Sequence, residues 1–297
     1  MTTQAPSRWR GTAALLGLFL RPAKDRASAV YEMLSTQNSL AESSLFLNLG
    51  YWDGPTTYDG GCARLAEVLG EAAGLGPTDT VLDCGFGFGD QDLFWARRFS
   101  PRRIIGLNIT ASQVELARRR VVEAGLSDKV LLQRGSATAM PLASGSVDKV
   151  LALETAFHYV TREDFFREAF RVLKPGGVLA TADIVPLPKP RTGVVASIGT
   201  YFGRSFWQIP AENMYDREEY SRRLQATGFA EVSVRSIRDR VYPGFADFAE
   251  TRLRHPEIRA RMNPLVRAFF AASLDDFRRP DGLDYVLAVA RKPGGSA

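Results

Sequence analysis

The sequence predicts an α/β fold whose centre is a mostly parallel sheet of seven strands flanked by helices. From about residue 62 onward, short apolar segments typical of buried strands alternate with helical segments of about ten residues or more. This alternation indicates right-handed crossovers, because parallel strands need a long connection between them. The predicted strands are residues 80–84, 103–107, 129–133, 147–153, 178–184, 230–237 and 283–290.

Glycine and proline residues mark the ends of the predicted helices. Gly74, Gly125 and Gly228 each follow a helical segment, at the position where glycine is favoured because it adopts positive φ. The sequence KPGG at residues 174–177 predicts a turn, since proline ends a helix and glycine tolerates the turn geometry. The predicted helices are residues 63–73, 91–99, 111–124, 162–173, 216–227 and 245–279.

Two regions do not follow this alternation. The apolar segment at residues 13–20 is too short to span a bilayer, so we expect a lid helix, with a membrane-touching helix as the alternative. Residues 186–214 are rich in proline and aromatic residues and are typical of an insertion that covers the sheet. We therefore expect an N-terminal helical lid at residues 1–60, followed by one domain at residues 61–297 with a cap insertion at about 186–227.

The composition restricts the class of protein and the kind of site. Of the 297 residues, 45% are apolar and 24% charged, as in an ordinary globular protein. Two cysteines and two histidines are too few for a disulfide framework or a multi-histidine metal site, so we expect no metal and a cytoplasmic location. The net charge of +5 is scattered along helices, which favours a solvated surface over nucleic-acid binding. We expect no stable membrane insertion, and a homodimer is left open.

A glycine-rich turn follows the first predicted strand. Asp83 ends that strand, and Gly85, Gly87 and Gly89 come next at alternating positions. The glycines let the backbone pass close to a ligand at the junction of strand and helix. The Gly-x-Gly-x-Gly spacing differs from the dinucleotide fingerprint, and a carboxylate at the strand end suits an ammonium group but repels a pyrophosphate. A nicotinamide oxidoreductase and a catalytically inactive binding protein are the rival interpretations.

Residues 79–185 resemble the Rossmann-like core of class I S-adenosylmethionine-dependent methyltransferases. The resemblance rests on the glycine motif at residues 81–90, the apolar strand before Glu154, and the sequence RVLKPGG at residues 171–177. It implies that the chain is an enzyme that binds S-adenosyl-L-methionine and releases S-adenosyl-L-homocysteine.

Three further segments, NLGYWD at 48–53, GLNITASQ at 106–113 and ETAFH at 154–158, resemble a natural-product subgroup. It includes macrolide-sugar and glycoside O-methyltransferases, and is related to sterol, cyclopropane-fatty-acid and prenyl-diphosphate C-methyltransferases. The resemblance implies that Tyr51 closes over the donor, that Asn108 binds the ribose with help from Gln113, and that the adenine lies near residues 136–137. The donor-binding residues implied are Tyr51, Asp83, Gly85, Gly87, Gly89, Asn108, Gln113, Ser136, Ala137 and Glu154.

His158 is the candidate general base, because it follows the fourth strand at the edge of the sheet where ligands bind. In the resembling O-methyltransferases a histidine at this position is the base, and an acidic residue that Asp183 matches assists it. Glu154 is a second candidate, since a carboxylate near this place acts on a carbocation in the C-methyltransferases. The alternatives are that His158 is a structural residue, that Tyr51 is a core aromatic, that Asn108 is a helix-start residue, and that Glu154 contacts the donor or ties the loop.

The aromatic residues of the cap favour a lipophilic small-molecule acceptor. We therefore expect methylation of a hydroxyl in natural-product or antibiotic biosynthesis, with C-methylation of an isoprenoid as the alternative.

Overall fold

The computed structural model describes residues 40–188, 209–278 and 282–294. The apolar segment at residues 13–20 and the aromatic residues at 201–207 lie outside the described residues, so the predictions made for them remain predictions. The same holds for most of the expected lid and for the middle of the expected cap insertion.

The centre of the fold is a seven-stranded sheet. Its strands are β1 (Thr80–Cys84), β2 (Arg103–Asn108), β3 (Val130–Arg134), β4 (Val147–Leu153), β5 (Leu173–Pro186), β6 (Ala230–Ser236) and β7 (Leu283–Arg291). They lie in the order β3-β2-β1-β4-β5-β7-β6, with β1 to β5 parallel and β7 antiparallel to both of its neighbours. The prediction of a Rossmann-like, mostly parallel seven-stranded sheet is confirmed.

Eight α-helices of the described residues surround the sheet. They are α1 (Tyr58–Ala73), α2 (Asp90–Arg98), α3 (Ala111–Glu123), α4 (Arg162–Val172), α5 (Arg217–Thr227), α6 (Arg238–Arg254), α7 (Pro256–Arg261) and α8 (Pro264–Arg278). Side-chain caps fix the starts of α1, α4 and α5; at α4 the Thr161 hydroxyl accepts from the Asp164 amide, and Asp164 accepts in return from the Thr161 amide. Gly74 and Gly228 end α1 and α5 at positive φ, as the sequence predicted.

Two local predictions were wrong. Residues 174–177 belong to β5 rather than to a separate turn, and only Gly176 of this KPGG segment has positive φ. The long helix expected at residues 245–279 is three helices, because Pro256 and Pro264 each begin a new one. Proline supplies no N–H for a continuing helix, so a helix starts at it more readily than it runs through it.

The core lies on both faces of the sheet. Val81 and Leu82 of β1 are fully buried and belong to different apolar clusters, as expected for neighbouring residues of an interior strand. Trp95 of α2 packs in one cluster, and Phe165 of α4 in the other. Helices on both faces thus hold β1 and β4 rigidly, and the carboxyl ends of these strands carry the candidate site.

Among the described residues, no helix is both long enough and apolar enough to cross a membrane.

Candidate active site

The loop after β1 is closely packed and requires glycine. Gly85, Gly87 and Gly89 have φ values of 87°, 55° and 84°, in the left-handed region. A Cβ atom added at Gly85 would lie 2.2 Å from the Oγ1 atom of Thr155, which belongs to the loop after β4. The two loops are therefore in direct contact, and a larger residue at position 85 would separate them.

Asp83 is the last residue but one of β1, just before this loop, and its side chain is fully buried. Burial raises its pKa to about 7, against the opposing effects of the Gln91 and Asp92 side chains. Neither carboxylate oxygen accepts a well-formed hydrogen bond from the residues that the structure describes. A buried carboxylate without a donor is costly, so this position suits a cationic ligand group.

Asn108 and Gln113 lie together beside the glycine loop, as the sequence predicted. The Asn108 Nδ2 atom donates to the Gln113 Oε1 atom at 2.9 Å and to the Gly87 carbonyl at 3.2 Å. Its Oδ1 atom accepts from the Thr110 amide at 3.1 Å. The Asn108 side chain thus orders the loop after β2 and the glycine loop at once, and its contact with a ribose remains a prediction.

Residues 136–137 follow β3, next to the loop after β2. The Gly135 amide donates to the Asn108 carbonyl at 3.1 Å, which brings this segment beside Asn108. The Ser136 hydroxyl lies 2.9 Å from the Thr138 hydroxyl, and Ala137 is buried. The position of these two residues beside Asn108 is compatible with the expected adenine pocket, and their contact with an adenine remains a prediction.

Glu154 connects the end of β4 to the segment that carries Tyr51. Its Oε1 atom accepts from the Leu49 amide at 2.7 Å and from the Tyr285 hydroxyl at 2.6 Å. It has φ of 51°, unusual for a residue other than glycine, and such strain often marks functional positions. Burial raises the pKa of Glu154 to about 7, so this carboxyl titrates near neutral pH.

Tyr51 lies where that segment passes α1. Its amide donates to the Gly61 carbonyl at 2.8 Å, and its half-buried ring has the Arg64 guanidinium 6.0 Å from the ring centroid. The neighbouring Trp52 ring stacks on Phe248 with 5.3 Å between centroids. The backbone of Tyr51 is therefore fixed, while closure of its ring over a donor stays a prediction.

His158 ends a short 3₁₀ helix, Ala156–His158, directly after β4. Its side chain is partly exposed, and the Phe157 ring lies 4.0 Å from it between centroids. The histidine is thus at the carboxyl edge of the sheet, where the sequence placed the candidate base.

Asp183 is near the carboxyl end of β5, and its side chain is fully buried. Its Oδ2 atom lies 2.9 Å from the Nε atom of Arg162, and its Oδ1 atom accepts from the Ile184 amide at 2.9 Å. The backbone of Phe157 also donates to this carboxylate, which connects Asp183 to the helical turn of His158. Its expected partnership with the imidazole remains a prediction.

The sequence reasoning did not identify Asn213, Arg162 or Tyr285 as part of this region. Asn213 donates from Nδ2 to the carbonyls of Phe157 at 3.1 Å and Tyr159 at 2.7 Å, and its Oδ1 atom accepts from the Arg162 amide at 2.9 Å. It therefore holds the carbonyls on both sides of His158. No local pattern marks such a residue, because its partners are about fifty positions away in the chain.

Comparison with known proteins agrees with this geometry. A family model described as a methyltransferase domain matches residues 82–181. The erythromycin 3''-O-methyltransferase of Saccharopolyspora erythraea is 37% identical over 287 residues, which cover 93% of this chain and 92% of that protein. The chain belongs to the S-adenosyl-L-methionine-dependent methyltransferases. The expected family, enzyme class and methyl donor are thereby confirmed.

Two other relatives of this methyltransferase extend the comparison. The 27-O-demethylrifamycin SV methyltransferase of Amycolatopsis mediterranei is 30% identical over 83% of this chain and 90% of that protein. A cyclopropane synthase from Mycobacterium tuberculosis, at 16% identity, shares the fold with a TM-score of 0.75 over 92% of this chain and 99% of the other.

The predicted donor site fits the charge of S-adenosyl-L-methionine. The donor carries an ammonium group and a sulfonium, and the buried Asp83 carboxylate lies just before a loop with three glycines at positive φ. The residues that would hold it are Asp83 and the glycine loop, with Asn108 and Gln113 beside them.

Proposed function

We propose that this methyltransferase transfers a methyl group to a hydroxyl of a lipophilic natural product, with a glycosylated macrolide as the first acceptor to test. The observation that carries the proposal is the 37% identity to an erythromycin 3''-O-methyltransferase across 93% of the chain. A second relative is named for 27-O-demethylrifamycin SV, which is again methylated at oxygen.

The proposed chemistry needs a base beside the methyl group. When bound, S-adenosyl-L-methionine supplies an electrophilic methyl group on its sulfonium. The neutral imidazole of His158 takes the proton of the attacking hydroxyl, which is the usual role of a histidine in such a transfer. The contacts of Asn213 with the two carbonyls that flank His158 support this role, because they fix the backbone that carries the imidazole.

C-methylation of an isoprenoid is the alternative, and one observation favours it. Glu154 is buried at an unusual φ of 51°, and its carboxyl has a pKa near 7 because of that burial. A carboxylate in such a place stabilises a carbocation, whereas O-methylation has no cation on the acceptor for it to stabilise.

The experiment is a transfer assay with the purified protein and S-adenosyl-L-methionine. The acceptors are an erythromycin with a free 3''-hydroxyl, 27-O-demethylrifamycin SV and geranyl diphosphate, and the matched control is the same erythromycin already methylated at 3''. We expect a mass gain of one CH₂ unit on a hydroxyl acceptor and none on the control. Transfer to geranyl diphosphate alone would establish the alternative instead.

Two variants distinguish O-methylation from C-methylation further. With a hydroxyl acceptor, His158→Gln should lower kcat by about 10²-fold to 10⁴-fold, the usual size of general-base catalysis, while binding of S-adenosyl-L-homocysteine is retained. A loss with Glu154→Gln and none with His158→Gln would favour C-methylation. We place the reaction in the cytoplasm, where the buried free thiols of Cys62 and Cys84 stay reduced.

A further inference from the structure

A second carboxyl group lies against Asp83. Asp92 is in the first turn of α2, and both aspartate side chains have 0% of their surface exposed. The two carboxyls are close enough that each one shifts the pKa of the other. None of their four oxygens accepts a well-formed hydrogen bond from a donor in the described part of the chain.

Ionisation of both carboxyls in such a pair is energetically unfavourable. Burial disfavours the charged form of a carboxyl, and a neighbouring carboxylate disfavours it further. Burial and then Asp83 raise the pKa of Asp92 well above its ordinary value. One proton between the two groups removes the repulsion and supplies an O–H donor from one carboxyl to the other.

The charges around the pair do not replace that proton. Asp90 on α2 adds negative charge, but the Arg120 guanidinium of α3 binds it at 2.7 Å from Nη2 to Oδ1. On the β4 side, the Tyr159 hydroxyl donates to the Cys84 carbonyl at 3.0 Å. The influences on the pKa of Asp83 itself are its burial, Gln91 and Asp92, and none of these is cationic.

We propose that Asp92 is a positioning residue that stays protonated and donates a hydrogen bond to Asp83. Asp83 then carries the single negative charge of the pair, and its orientation toward the cationic methyl donor is fixed from below by Asp92. In the alternative, Asp92 is an ionised residue that only favours the N-terminus of α2 through the helix dipole.

The test compares three variants by calorimetric titration with S-adenosyl-L-homocysteine at pH 7.5. Asp92→Asn keeps an N–H donor without charge, Asp92→Leu keeps the size without a donor, and Asp83→Asn removes the charge itself. We expect Asp92→Asn to bind within about threefold of the wild type. Asp92→Leu and Asp83→Asn should each lose about tenfold or more, the size of a lost hydrogen bond to a charged group.

An infrared measurement reports the proton directly. The difference spectrum between the wild type and Asp92→Asn should show the C=O stretch of a protonated buried carboxyl at pH 7.5 in the wild type only. Circular dichroism checks that each variant is folded. If Asp92→Leu does not fold, the affinity of Asp92→Asn and the infrared band still test the proposal.

Two results would overturn the proposal. Asp92→Asn binding as weakly as Asp83→Asn would mean that the ligand needs the charge of Asp92. A difference spectrum without the protonated band would mean that both groups are ionised.

Discussion

The Nε atom of Arg162 lies 2.9 Å from the Oδ2 atom of Asp183, and neither side chain is exposed to solvent. The guanidinium also lies 4.8 Å and 5.1 Å from the ring centroids of Tyr215 and Tyr220. Burial raises the pKa of Asp183, and the charge of Arg162 opposes that rise. This ion pair joins the start of α4 to β5, directly behind the turn that carries His158.

Removing one partner of this ion pair should lower the stability of the protein. Arg162→Met leaves the Asp183 carboxylate buried without its counter-charge, and we expect a loss of about 3–5 kcal/mol in the free energy of unfolding. The measurement is urea unfolding followed by circular dichroism. The double variant Arg162→Met/Asp183→Leu is the control, since it removes both charges and should recover much of the loss. A single variant as stable as the wild type would contradict the ionised pair.

Asn213→Ala should affect catalysis more than donor binding. The change removes both bonds to the carbonyls that flank His158, so we expect kcat with a hydroxyl acceptor to fall about tenfold to hundredfold through misplacement of the base. Affinity for S-adenosyl-L-homocysteine should stay unchanged. Glu212→Ala, an exposed neighbour, is the matched control and should behave like the wild type.

The same variant has a spectroscopic signature. The chain contains only His158 and His255, so histidine-labelled protein gives two imidazole signals. The His158 signal should move in Asn213→Ala, while the signal of the exposed His255 should not. If neither signal moves, Asn213 does not position this turn.

Gly85→Ala should disrupt the glycine loop after β1. An added Cβ meets Thr155 at 2.2 Å, and φ of 87° is itself unfavourable for alanine. Gly145→Ala is the matched control, because Gly145 also has positive φ but nothing within 4 Å of an added Cβ. We expect the control to lose only about 1–2 kcal/mol of stability, the cost of the left-handed conformation. Gly85→Ala should lose more than that, together with binding of S-adenosyl-L-homocysteine; equal losses would contradict the contact with Thr155.

Glu154→Gln should change how stability depends on pH. The folded-state pKa of Glu154 is about 7, above the ordinary value near 4.5. Its protonated form therefore contributes stability that is fully present below about pH 4 and is lost as pH rises to about 7. Relative to the wild type, the variant should gain about 3 kcal/mol between pH 4 and pH 7.

Glu231→Gln is the control for that series. Glu231 also has positive φ, but its side chain is 71% exposed, so this variant makes the same Glu→Gln change without burial. Thermal unfolding at a series of pH values provides the measurement. Parallel curves for Glu154→Gln and the wild type would show that Glu154 is not neutralised by burial.

The sequence predicts most of this fold, because strands, helix ends and glycine turns depend mainly on residues that are neighbours in the chain. The apolar segment 80–84 and the three glycines after it are correct in position, since strand burial and positive φ depend on neighbouring residues. Arg162 was not predicted as buried, because an arginine in the first turn of a helix is typical of a solvated surface. Its burial depends on Asp183 and Asn213, which only the folded sheet brings to it.

Asp92 was missed for a similar reason. An aspartate in the first turn of a helix has an ordinary explanation in the helix dipole. Its position beside Asp83 depends on how the turn after β1 places α2 against its neighbours α1, β2 and β3, which residues 81–92 alone do not show.

Asn213 also sets a limit on how this enzyme can be redesigned. It follows the segment at residues 189–208, which falls in the expected cap insertion, and its side chain holds the turn of His158 from outside that segment. Chimeras that exchange the stretch after Pro186 should therefore place their second junction before Asn213. A graft that replaces Asn213 would exchange the expected cap and loosen the turn of His158 in the same step.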